Sequence, residues 1–64
     1  MKVAAQFTNE DDGITTYVVP SAATPDKFNV TMRDDDSGEF VPHARIGMTY
    51  AAAVALAQNW ANVA

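Results

Sequence analysis

The sequence changes its hydrophobic period once, near residue 49, and that change confines the chain to a set of strands followed by one helix. Before it, apolar and polar residues alternate in short runs rich in β-branched and aromatic side chains, the period-two signature of half-buried strands. After it, alanine dominates and the larger apolar residues recur at helical spacing. Charge follows the same division. All twelve charged side chains lie between Lys2 and Arg45, and none occurs from Ile46 to Ala64.

The front half divides into strands at its turn residues. Val3, Ala5 and Phe7 alternate with Ala4, Gln6 and Thr8, so a strand is expected over 3–8. Asn9 to Gly13 follows as a turn, because Asn and Asp tolerate left-handed backbone and Gly favours it. A β-branched and aromatic run predicts a second strand over 14–19, ended by Pro20. After a loop containing Pro25, a third strand is expected over 27–33, with Phe28, Val30 and Met32 on one side and Asn29, Thr31 and Arg33 on the other. Asp34 to Gly38 is the next turn, with Gly38 at positive φ. A fourth strand is expected over 39–46. Pro42 removes a ladder donor there, so this strand is short, bulged or at an edge. If the Pro42 segment is instead a loop, the sheet has three strands.

The uncharged tail predicts a helix over 50–62. Thr49 is placed to cap it, since its hydroxyl can accept one of the unpaired amides of the first turn. Ala53, Leu56, Ala57 and Trp60 fall on one face at about 100° per residue, flanked by Tyr50, Ala61 and Val63. Gln58, Asn59 and Asn62 mark the opposite side. On this reading Leu56 and Trp60 supply the bulk of the core, each contributing on the order of 1.5–3 kcal/mol if fully buried. The fold class expected is α+β: an antiparallel meander of three to four strands with one C-terminal helix packed on one face, a single domain over 1–64.

Size and composition exclude much. At 64 residues the chain is too short for a dinucleotide-binding unit with a substrate domain, or for a barrel. A domain of this size buries only about 60% of its unfolded surface, so its stability rests on one dense core, aided by a partner or a second copy. With no cysteine it has no disulfide, thiol nucleophile or Cys-based zinc site. Eight Asp and Glu against four Lys and Arg give a net charge of −4, the wrong sign for direct nucleic-acid binding, which needs cations along the phosphate path. No apolar run reaches the roughly 18 residues of a membrane span, and Met1-Lys2 leads into no signal-peptide core. A cytoplasmic protein with no membrane contact and no cofactor is expected.

The acids carry the functional signal. In a meander the first and third connections lie at the same end of the sheet. Glu10, Asp11 and Asp12 sit in the first; Asp34, Asp35, Asp36 and Glu39 sit in or beside the third. Seven of the eight acids are therefore expected at one edge, a negative focus toward which a basic protein surface would be steered. The competing interpretation is that turns are polar and that negative charge keeps a small domain soluble. The uncharged helix likewise has two readings: high alanine propensity needs no charges, or the face Ala51, Ala55, Gln58, Asn59 and Asn62 is covered by a second copy, giving a homodimer.

Other chemistry is not supported. Asp34, Asp36 and Gly38 resemble the start of a calcium loop, but Gly38 stands where a third ligand belongs and Arg45 at the twelfth position. His43 is the single histidine and reads as an exposed edge residue. Ser21 and Ser37 fall in turns, where serine bonds local backbone, and no nucleophile motif surrounds them. One sheet and one helix are not expected to form a concavity of the roughly 300 Å³ typical of ligand sites. No catalytic residue and no metal ligand is assigned. Asn29-Val30-Thr31 matches a glycosylation acceptor, but it falls within a strand of a chain with no secretion signal.

Thr49 to Ala57, following a hairpin, looks like the last helix of a double-stranded-RNA-binding domain. The Lys cluster that this family carries at the helix start, and its first helix, have no counterpart here, so RNA binding is not expected. The stretch Phe28 to Ala61, a hairpin with an acidic turn and then an alanine-rich helix, resembles small phage-encoded inhibitors, notably anti-CRISPR proteins, in length, element order and acidity. That resemblance implies a protein acting in the cytoplasm of a bacterial host, with Glu10, Asp11, Asp12 and Asp34 to Asp36 mimicking phosphate charge on a basic channel.

Overall fold

The structure, a computed structural model, describes residues 3–40 and 45–62. Four strands and a helix follow in chain order: β1 (Ala5–Asn9), β2 (Ile14–Pro20), β3 (Phe28–Asp34), β4 (Arg45–Met48) and α1 (Tyr50–Ala61). The strands form one sheet in the order β1-β2-β3-β4, with every neighbouring pair antiparallel. The protein is thus α+β, a four-stranded meander with one C-terminal helix on one face.

Register decides which side chains meet the helix. Ala5 pairs with Val18 and Phe7 with Thr16; Thr16 pairs with Met32 and Val18 with Val30. Because side chains alternate across a strand, these residues share the helix-facing side. Gln6, Thr8, Thr15, Tyr17, Thr31 and Arg33 share the other, over which the described residues form no second layer. Val18, Val30, Ala53 and Ala57 form the core, with Phe7, Phe28, Met48, Leu56 and Trp60 packed around them.

The fourth strand differs from the expected span of 39–46. Phe40 makes only an isolated bridge to Arg33, and the regular strand is Arg45–Met48. Gly47 lies one residue beyond the expected span. Here it adopts φ +71° and becomes a bulge residue: the three steps from Arg45 to Met48 oppose two from Val30 to Phe28. This bulged, four-residue edge offers a poor template for further strand addition, although Ile46 on it is 77% exposed. Pro42 and His43 lie outside the described residues.

The helix starts as expected. Thr49 caps it, its side chain accepting from the Ala52 amide at 3.3 Å. It ends at Ala61 rather than Asn62, because Asn62 takes a left-handed conformation and closes the last turn with bonds to Asn59 and Gln58 carbonyls. The buried stripe also differs. Ala53, Ala57 and Ala61 are fully buried, whereas Leu56 and Trp60 are half-buried at its flanks. A helical projection ranks residues by hydrophobicity, but the contact line is chosen by closeness of approach. Three alanines one turn apart bring the helix backbone onto the sheet, and the fully buried Thr16 donates its hydroxyl to the Ala57 carbonyl at 2.8 Å.

Overpacking that line should be costly. Ala57→Leu is expected to lose about 1–3 kcal/mol or more, Thr16→Val about 1 kcal/mol through its hydrogen bond, and Ala55→Leu on the exposed face within about 0.5 kcal/mol of zero. Urea denaturation of the three variants checks the ranking.

Candidate acidic interface

The first and third connections meet at one end of the sheet. Asn9 pairs with Ile14, closing the first turn, and Ile14 pairs with Asp34 at the mouth of the third. The Asp35 amide donates to the Gly13 carbonyl at 2.8 Å, tying one turn to the other. A side-chain carbon built on Gly13 would lie 3.7 Å from an Asp36 carboxylate oxygen. Glu10, Asp11, Asp12, Asp34, Asp35, Asp36 and Glu39 are therefore gathered at this end, and all except Asp35 are exposed. Asp26, the eighth acid, lies in the second connection at the far end.

These carboxylates do not have equal freedom. Asp34 accepts the Asp36 amide at 2.9 Å, and Asp12 accepts from the Asn9 side chain at 3.2 Å. Asp35 turns onto the uncovered sheet face, where the Thr15 hydroxyl donates to its carboxylate at 2.9 and 3.1 Å from the two oxygens. Thr8 in turn lies 3.1 Å from the Thr15 hydroxyl. Thr15 is only 4% exposed, so Asp35 satisfies a buried donor and is a structural acid. Nothing in the sequence separates it from Asp34 and Asp36, because turn residues have no period that assigns them a side. Among the described residues no hydrogen bond engages the carboxylates of Glu10, Asp11, Asp36 or Glu39, which leaves them the outward charge of the site.

The helix adds to the negative potential. Asn9 donates from Nδ2 to the Ala61 carbonyl at 2.6 Å and accepts the Asp12 amide on Oδ1 at 3.2 Å, holding the first turn against the C-terminal end of α1. That end carries the equivalent of about half a negative charge, and no basic residue occupies the last turn. Between turn and helix end is an open depression of about 560 Å³ lined by Thr8, Asn9, Glu10, Asp11, Asp12 and Asn62. It is larger than expected for one sheet and one helix, because it lies at their common end and not between the layers. Its lining has acids and amides but no basic residue. Among the described residues no three His, Asp or Glu are grouped to hold a metal ion, and no helix is long and apolar enough to cross a membrane.

The acidic end also carries an aromatic pair. The third connection folds back so that the Asp34 amide donates to the Glu39 carbonyl at 2.9 Å and Phe40 bridges to Arg33. The Phe40 ring then rests against Tyr17, centroids 5.9 Å apart, while 48% of Phe40 stays exposed. Asn9 and Phe40 were not among the expected site residues; Asn9 reads as an ordinary turn residue and Phe40 as a strand residue.

Comparison with protein-family models, with curated proteins and with solved structures returns no match.

The two kinds of acid should separate on mutation. Asp35→Ala removes the charged acceptor of the buried Thr15 hydroxyl, leaving it the neutral Thr8 hydroxyl 3.1 Å away, and is expected to cost about 1–3 kcal/mol. Asp11→Ala should leave stability unchanged or raise it slightly by relieving repulsion. Thermal denaturation of the two variants side by side checks this.

Proposed function

We propose that the protein is a non-enzymatic protein-binding module whose acidic sheet end docks on a basic surface. The partner class is a protein that handles nucleic acid, because such proteins maintain a cationic channel that a compact array of carboxylates can occupy in place of phosphates. An inhibitor of a complex such as CRISPR-Cas, of the kind phages encode, fits this description. One observation carries the reading: seven of eight acids converge on the end of the sheet where the helix also terminates, with no basic residue in the helix's last turn. Like charges brought together oppose folding, so the arrangement has a cost in the free protein that an opposite surface would relieve.

The experiment separates placed charge from net charge. Glu10→Gln, Asp11→Asn and Glu39→Gln together raise the net charge from −4 to −1. Ala22→Lys, Ala23→Lys and Thr24→Lys, all exposed at the far end, make the same change elsewhere. Immobilised wild-type protein should capture basic nucleic-acid-binding proteins from a nuclease-treated bacterial lysate, in competition with added DNA. The far-end variant should retain the capture and the acid-end variant should lose it. Equal loss in both variants would contradict the reading. Sedimentation of the same samples should show a monomer; a dimer would favour the alternative, a small structural or regulatory homodimer whose uncharged helix face is covered by a second copy.

A further inference from the structure

The sheet has two outer strands, and only one of them is guarded. β4 is short, carries Arg45 and is bent by the Gly47 bulge, devices that keep an edge from taking up another strand. β1 has none of them. Its five residues, Ala5 to Asn9, contain no charge, proline or glycine, and they pair with β2 without a shift in register. We infer that the outer edge of β1 is a strand-addition site. An extended segment of the partner pairs antiparallel with it, alternating apolar and polar residues along β1. Basic residues precede that run and lie beside Glu10, Asp11 and Asp12. This rests on the acidic-interface reading and says how the partner's backbone is held there.

Backbone direction identifies the groups on offer. The Phe7 carbonyl accepts from the Thr16 hydroxyl at 3.4 Å across the ladder, so Phe7 turns its backbone toward β2. Directions alternate along an antiparallel strand, so Gln6 and Thr8 turn theirs outward. The Ala4 amide, just before the strand, bends inward to the Val18 carbonyl at 2.8 Å. Among the described residues no further strand pairs with the outward groups, and Gln6 and Thr8 are both exposed. Side chains set the pattern of the incoming strand. Ala5 and Phe7 face the helix side and pack at the margin of the core, so the residues opposite them are apolar. Those opposite Gln6 and Thr8 are polar. Charge complementarity then selects the occupant. β1 runs directly into Glu10, Asp11 and Asp12, all exposed. The first residues of an antiparallel segment therefore lie beside three carboxylates and gain from being basic. A second copy of this chain instead brings a further net charge of −4, which opposes its approach.

The test uses a peptide of three lysines followed by alternating valine and threonine, with affinity for the full chain read by fluorescence anisotropy near physiological ionic strength. Paired with β1, its threonine amides face Gln6 and Thr8 and its valine amides face solvent. N-methylation of the threonine amides should weaken binding about tenfold or more, and N-methylation of the valine amides should leave it unchanged. The same peptide in reversed order, with its lysines at the far end, should bind about threefold weaker or more. Hydrogen exchange at the Gln6 and Thr8 amides should slow on adding the first peptide. Gln6→Pro removes an outward donor at an edge position that tolerates proline. It should lose affinity for the first peptide and keep that for the threonine-methylated one. Equal effects of the two methylations, or unchanged exchange at Gln6 and Thr8 with peptide bound, would overturn the inference and leave the acidic-interface reading intact, since the lysines would still bind. Tighter binding of the reversed peptide would also overturn it. So would concentration-dependent protection of the same amides in the free protein, which would give the edge to a second copy. Absence of binding by every peptide, even at low salt, would remove both.

Discussion

The structure depends on how closely one helix approaches the middle of one sheet. Ala53, Ala57 and Ala61 supply no bulk, yet they let the Thr16 hydroxyl reach the Ala57 carbonyl. The approach places a polar group at the centre of a small core and satisfies it there, where leaving it unpaired would cost about 1–3 kcal/mol. Among the described residues, two valines and three alanines are the fully buried apolar ones. With so little volume available, closeness compensates for size, because dispersion contacts fall away rapidly with any gap. Leu56, Trp60, Phe7 and Phe28 then seal the margins.

The same approach organises the acidic end. A helix seated on β2 and spanning about 18 Å finishes beside the first turn, where Asn9 ties the Ala61 carbonyl to the sheet. The meander brings the third connection to that turn, and the Asp35 amide closes the gap. Carboxylates and helix terminus are thereby added into one field. Asp12, Asp34 and Asp35 are partly engaged in holding the turns, so the outward charge falls mainly to Glu10, Asp11, Asp36 and Glu39. The remainder of the surface is weakly charged, which makes this end the molecule's dominant electrostatic feature.

Much of this could be read from the sequence, for identifiable reasons. Period-two runs placed the first three strands to within one or two residues, and Thr49 was recognisable as a cap by its chemistry. The convergence of the turns follows from strand order alone. What could not be read depends on contact geometry. The alanine stripe outranks Leu56 and Trp60 because proximity, not hydrophobicity, sets the contact line. Asp35 differs from its neighbours only in the direction its backbone points. Gly47 and the bulge it forms lie beyond the span expected for the fourth strand. The fold-back that exposes Phe40 beside Tyr17 depends on a four-residue turn whose shape the run of aspartates does not announce.

The central claim is that one end of this small domain concentrates like charge. It is tested most directly by following stability against ionic strength. Screening shortens the reach of carboxylate repulsion from about 30 Å at 0.01 M salt to about 8 Å at 0.15 M. The urea midpoint should therefore rise steadily with sodium chloride across that range. A midpoint that stays flat or falls would mean that the carboxylates do not share a common field, and would contradict the account.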